Sequence, residues 1–235
     1  MSNEPVASEW ISSAQIELAQ AFFALPESAG FYLAGGAALI AAGIVDRKTE
    51  DLDIFTATAD IRAAVDAFAA ECQRRNWRLR VDPERHFDTY TRVFVASPGI
   101  SDDDAIKIEF ARDAAPLNTI RTTFLGPTID VEDSAGQKML ALFGRAAPRD
   151  FVDVFALTAR FSTSQLLQFA AERDAGFDSA VFADMVAMLA HDPTLGTSLG
   201  DLTGTGNPAA PCGRNALGRH PQVGASDRRV ATQVT

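Results

Sequence analysis

Two aspartates separated by a single leucine, Asp51 and Asp53, stand in the short run DLDIFT, and this spacing constrains the chain more than any other feature. In a β-strand alternate side chains share a face, so both carboxylates project to one side while Leu52 points to the other. Adjacent carboxylates repel unless a cation lies between them. A hard divalent ion with oxygen ligands, Mg²⁺ above all, meets that need and keeps positions open for phosphate oxygens. An Asp-x-Asp by itself is common and is usually inert at a solvated strand end, so the neighbouring segments decide its meaning.

Upstream, Phe31 to Leu33 reads as a short buried strand, and Ala37 to Ile44 has helical composition. Gly35 and Gly36 therefore sit at a strand-to-helix turn. Such a turn lets backbone amides approach a triphosphate closely at a helix N-terminus, although a tight turn alone is the commoner role of a glycine pair. Downstream, the run AIKIEFA alternates Ile106, Ile108 and Phe110 on a core face, which puts Lys107 and Glu109 together on the other. Glu109 is thus a candidate third acid, either a metal ligand or a general base, and otherwise a solvated strand residue. Turn glycines, paired strand aspartates and a later strand acid occur in the order that two-metal phosphoryl transfer requires.

The remaining pattern predicts a mixed α/β unit followed by helices, an α+β arrangement with a mixed sheet. A first helix is expected over about residues 8–25 and another over about 60–75, ended by Asn76. WRLRV and TYTRVFV read as paired strands joined by a connection containing Pro83, and residues 122–131 as a last strand. Helices follow over about 133–143, 150–160, 163–173 and 178–189. Residues 1–157 are read as the core with its N-terminal helix, and 158–195 as a helical region. Residues 196–235 are glycine-rich and poor in large apolar side chains, the composition of a disordered tail. The triplet from Gly204 to Gly206 lacks a preceding strand and following helix, so it is not read as a phosphate loop.

A formal net charge of −10 argues against a protein that coats nucleic acid by bulk electrostatics. The dense basic run is Arg74, Arg75, Arg78, Arg80 and Arg85, in which Arg78 and Arg80 share a strand face. This face is either a stripe for RNA phosphates or an ordinary solvated surface. The longest apolar run, from Phe31 to Val45, is too short for a membrane span and holds three glycines. With no apolar leader after the N-terminus, the expected location is the cytoplasm. Cys72 and Cys212 are too few and too distant for a disulfide framework, and Cys72 falls on the apolar stripe of its helix as a buried thiol.

The stretch from Phe31 to Thr56 resembles the AbiEii/AbiGii toxin family of the DNA polymerase β-like nucleotidyltransferase superfamily. The resemblance rests on Gly35, Gly36, Arg47, Thr49, Asp51, Asp53 and Phe55, and downstream on Lys138, Arg145, Arg149, Asp150 and Asp153. It implies a polymerase β-like catalytic fold, a nucleoside triphosphate donor, Mg²⁺ as cofactor, an RNA acceptor such as tRNA, and a separate antitoxin protein. It also implies that Gly35, Gly36, Arg47 and Lys138 serve the nucleotide, while Asp51, Asp53 and Glu109 serve metal and catalysis. Bracing of the loop by Arg47, and helix capping by Asp150, are the structural alternatives. Two positions depart from the family pattern: Ala37 stands where Ser or Thr is usual, and Glu109 where Asp is usual. A catalytically silent binding protein and a transferase acting on a small molecule are therefore the alternative functions.

Overall fold

The computed structural model describes residues 10–189. The elements in chain order are helix α1 (Ser13–Phe23), a 3₁₀ turn (Pro26–Ser28), strand β1 (Phe31–Ala34), helix α2 (Gly35–Ala41), β2 (Asp51–Thr56) and α3 (Ile61–Arg74). Then come β3 (Arg78–Phe87), β4 (Tyr90–Ala96), β5 (Ile106–Arg112), β6 (Arg121–Thr123) and β7 (Gly126–Thr128), and finally α4 (Val131–Arg145), α5 (Pro148–Leu157), α6 (Thr163–Arg173) and α7 (Ser179–Leu189).

The strands form one mixed seven-stranded sheet in the order β3-β4-β5-β2-β1-β7-β6. β2 runs antiparallel to β1 and parallel to β5. This central position explains why β2 is apolar on one face. Leu52 and Ile54 are fully buried beneath α1 and α3, together with Leu18, Phe22, Phe68 and Phe110. The ring of Phe22 meets those of Phe31, Phe68 and Phe110 at centroid distances of 5.5, 5.6 and 5.1 Å, geometries that add specificity to the burial. Cys72 lies in this core, and burial pushes its thiol up to about 12. It is a packing residue without thiolate chemistry.

Local signals account for most element ends. Ser12 caps α1 in a reciprocal box with Gln15, so the helix starts later than the apolar pattern suggested. Asp60 caps α3 through the amide of Ala63, and Asn76, with φ of 58°, turns the chain out of it. Two connections differ from the sequence reading. Pro83 lies inside β3, which is an edge strand whose register shifts between Val81 and His86, and there a missing amide hydrogen is tolerated. The turn is instead at Asp88 and Thr89. The expected last strand is a hairpin, β6 and β7, and β7 joins the sheet beside β1.

The helices after β7 pack beside the other face of the sheet. α4 carries Ala135, Met139 and Leu142 into the core, and α6 adds Leu166 and Ala170. Arg173 of α6 reaches both Asp133 of α4 and Asp113 just after β5, at 2.7 and 3.0 Å. α4 thereby stands across from the polar face of β2 and β5, and a cleft is left between them. The expectations for Cys212, Gly204 to Gly206 and the tail fall outside the described residues.

Candidate active site

The cleft has a volume of about 890 Å³ and is lined by residues from β2, β5, α4, the loop before β2 and the start of α5. The register of the sheet builds its floor. Asp51 lies beside Lys107 and Asp53 beside Glu109 across the parallel β2–β5 pair, while Ala34 of β1 flanks Asp53 on the other side. The three carboxylates that alternation singled out are thus brought together on one face.

The glycine pair is demanded by close approach. Gly35 has φ of +63°, and a Cβ there would lie 1.8 Å from Oδ2 of Asp53. A Cβ on Gly36 would lie 3.0 Å from Nη2 of Arg47 and 3.2 Å from Oγ1 of Thr49. Both glycines therefore seat the Asp53 carboxylate and the Arg47 loop against the start of α2.

The three acids have different surroundings. Lys107 Nζ stands 2.9 Å from Asp51 Oδ2 and 3.3 Å from Glu109 Oε1, bridging the two. Arg149 approaches Asp51 Oδ2 at 3.7 Å, and Thr49 donates to Asp51 Oδ1 at 3.2 Å. Burial would raise the Asp51 carboxyl, but the hydrogen bond and charge of Lys107 hold it below the usual carboxylate range. Glu109 also accepts from Arg92 at 2.8 Å. Burial opposes its ionisation, yet Tyr90, Lys107 and Arg92 together keep it low. Asp53 has neither an ion pair nor a hydrogen-bond donor on its carboxylate among the described residues. Desolvation first, and then the charges of Asp51 and Glu109, push it up to about 6.

Asp51 and Asp53 are the donor set a hard cation would use, since they are adjacent oxygen ligands and Asp53 has no direct ion pair among the described residues. Glu109 is turned toward Lys107 and Arg92, and among the described residues no group of three or more acids, histidines or cysteines is arranged as a metal-binding cluster.

Arg47 and Lys138 belong to a buried ion cluster beside this floor. Arg47 grips Asp153 with Nε and Nη2 at 2.7 and 2.8 Å. Lys138 Nζ is 2.8 Å from Asp153 and 3.9 Å from Asp150, and Arg145 donates to Asp150 at 2.8 and 2.9 Å. Both aspartates are fully buried. The bracing role of Arg47 is the one observed, and Lys138 is anchored in the same cluster. The capping role expected for Asp150 does not hold: Ala147 is the N-cap of α5, and the Asp150 carboxylate is spent on Arg145. The Arg47–Asp153 pair joins the loop before β2 to α5 across 106 positions, so no local signal revealed it.

The basic run is largely spent on nearby partners. Arg74 and Arg75 bind Glu71, Arg78 binds Asp102 and the carbonyl of Ile100, and Arg80 lies over the ring of Phe94. It forms no free stripe. Basic groups at the cleft are Lys48, Arg145, which is paired with Asp150, and Arg149, which stands beside Asp51. His86 is half-buried against Thr91 at 3.1 Å and lies away from the cleft lining. Asp113, Gln137, Arg173 and Trp10 also line the cleft and were not singled out from sequence. Asp113 follows the same two-residue alternation as Lys107 and Glu109, which was the available clue; the others come from distant elements.

The family described as nucleotidyl transferase AbiEii toxin, type IV TA system, matches residues 18–195, which includes every cleft-lining residue except Trp10. The chain belongs to the AbiEii nucleotidyltransferase toxin family. Two solved structures show its fold. A candidate nucleotidyltransferase from H. pylori superposes with a TM-score of 0.53 at 19% identity, covering 82% of this chain and 88% of that one. JHP933 from Helicobacter pylori superposes with a TM-score of 0.52 at 17% identity, covering 83% and 97%. No curated protein matches the chain. As an AbiEii family member it is a nucleotidyltransferase of a toxin-antitoxin type. Among the described residues no helix is long and apolar enough to cross a membrane.

Proposed function

We propose that this AbiEii family protein transfers a nucleotide from a nucleoside triphosphate to a hydroxyl of an RNA acceptor, tRNA-like in kind, with Mg²⁺ as cofactor. The observation that carries the reading is the Asp53 carboxylate. It is unpaired and pushed up to about 6 beside Asp51, on the floor of a cleft rimmed by Arg145, Arg149 and Lys48. A site that leaves one acid without a direct ion pair beside a cationic rim suits a ligand that brings both a cation and phosphates.

Asp51 and Asp53 would hold the metal, and Glu109, their neighbour across the sheet, would complete the set by exchanging Lys107 for the ion. Bound there, Mg²⁺ would supply neutralisation of the charge that grows on the phosphates during transfer. Arg145, Arg149 and Lys48 draw the triphosphate into the cleft. Gly35 and Gly36 allow it to approach the backbone next to Asp53, while Arg47 and Lys138 fix the loop and α4 that frame it. A separate antitoxin is supported by the type IV toxin-antitoxin description of the family, and the RNA acceptor is what the sequence resemblance implies.

The catalytically silent alternative rested on the missing hydroxyl at position 37. Ala37 is buried in the main core, which weakens that argument. The test is incubation with each labelled triphosphate, Mg²⁺ and total RNA. Label in a small-RNA fraction is the expected result. Label in no fraction, with no thermal stabilisation by Mg²⁺ plus any triphosphate, would favour the silent reading. A bound ligand at a hundred times its dissociation constant should add about 2.7 kcal/mol.

A further inference from the structure

The cleft has two chemically different ends. Gln137, Ala141 and Arg145 follow one another along α4, so about 12 Å of helix separates the first from the last. Arg145, Arg149 and Lys48 stand at the Asp51 end, whereas Phe55, Gln137 and Asp113 stand at the other. β2 spans the same two ends in the opposite direction: Arg149 approaches Asp51 at 3.7 Å, and the amide of Asp113 donates to the carbonyl of Thr56 at 3.0 Å. Phosphates belong at the first end, and whatever they carry extends toward the second.

Asp113 is held rigidly there. Its Oδ2 accepts from Gln137 Nε2 at 2.6 Å and from Arg173 Nη2 at 3.0 Å. Arg173 is itself buried and tied to Asp133 at 2.7 Å. No donor among the described residues reaches Oδ1 of Asp113. A carboxylate only accepts, so Gln137 must turn its Nε2 toward Asp113, which leaves its Oε1 as a further acceptor. The two side chains thus offer a ligand acceptors. Four residues of extended chain separate Asp113 from Glu109, roughly 13 Å. That is comparable to the reach of a nucleoside from its α-phosphate to the far edge of its base. Between these points the half-buried ring of Phe55 lies beside Ala111, whose small side chain leaves space next to the ring.

We propose that Asp113 and Gln137 read the base of the donor nucleotide, selecting bases that carry an exocyclic amino group (adenine, cytosine or guanine) over uracil, with Phe55 as the ledge beneath the nucleoside. The inference rests on the transferase reading above. An amino group supplies two donors to the acceptor pair, whereas uracil presents two carbonyl oxygens around a single N–H and leaves acceptor facing acceptor.

The test is calorimetric titration of the full chain with the α,β-methylene analogues of ATP, CTP, GTP and UTP in Mg²⁺. The UTP analogue should bind about tenfold to a hundredfold more weakly than the tightest amino-bearing one. Asp113→Asn, which offers an amide donor and still accepts from Arg173, should remove the gap by improving the UTP analogue. Gln137→Met keeps the Asp113–Arg173 pair and should narrow the gap even if the first variant folds poorly. Equal binding of all four by the parent would overturn the proposal. So would a gap unchanged in both folded variants, or an equal loss for all four analogues. Binding of none by the parent would overturn the transferase reading, and this proposal with it.

Discussion

The cluster of Arg47, Lys138, Arg145, Asp150 and Asp153 and the row of Asp51, Asp53 and Glu109 use the same side-chain chemistry to opposite ends. In the cluster each buried carboxylate meets at least one cation, and although burial opposes its ionisation, Arg47 and Lys138 hold Asp153 below the usual carboxylate range. In the row, Lys107, Arg92 and Arg149 pair directly with Asp51 and Glu109, and Asp53, without a direct partner, is pushed up to about 6 by desolvation and its acidic neighbours. A cluster in which each buried carboxylate is directly paired holds α4 and α5 to the loop before β2. A row that leaves one carboxylate without a direct partner on a cleft floor offers a place for an external cation. The difference teaches which aspartates to regard as framework and which as site, a distinction that residue type cannot make.

The largest effect should come from breaking the directly paired cluster. Asp153→Ala leaves Arg47 and Lys138 buried without their shared partner, and should cost about 3–5 kcal/mol, read as a fall in the denaturant midpoint. A midpoint near that of the parent would mean that the cluster is not the brace described here.

Asp53→Asn should do the reverse. It removes an unpaired charge, so the metal-free protein should be at least as stable as the parent at neutral pH, while nucleotidyl transfer should fall about a hundredfold or more. Full transfer, or simple unfolding, would show that Asp53 is not a site acid.

A pH series sharpens the same contrast. Asp53 binds its proton more tightly in the folded state, about 6 against an ordinary 3.8. Its contribution to stability is therefore present below the ordinary value and lost as pH rises through about 6. Metal-free parent protein should fall below Asp53→Asn in thermal midpoint over that window, and the two should converge in acid. Asp153 has the opposite sign: its contribution is present above the ordinary carboxylate value and lost as pH falls through its depressed one. A parent and Asp53→Asn pair with parallel pH profiles would remove the distinction.

The smallest effect concerns Lys107, a partly exposed ammonium between two site acids. Lys107→Met should lower metal-free stability by about 1 kcal/mol or less. It should also tighten Mn²⁺ binding measured by titration, because the ion no longer competes with an internal cation. Unchanged or weaker Mn²⁺ binding would show that Lys107 does not occupy the ion's place.

Much of the site was legible in the sequence because strand alternation is local. The two-residue period alone places Asp51 with Asp53 and Lys107 with Glu109, and the helix caps at Ser12 and Asp60 depend on neighbours three residues away. The apolar stripe that buries Cys72 is local in the same sense. Pairings between strands were not legible. That β2 lies next to β5 in parallel, with Asp53 opposite Glu109, follows from sheet order, and several orders satisfy the same alternation. The partners of Arg47, Lys138 and Arg173 were also beyond reach, since an ion pair between separate elements leaves no periodic trace in the sequence. The sequence by itself determined which carboxylates share a face and which turn needed glycine, because those depend on bond geometry within a few residues. Only the tertiary structure decided which of them acquire a counter-charge, because that depends on which distant elements pack against them.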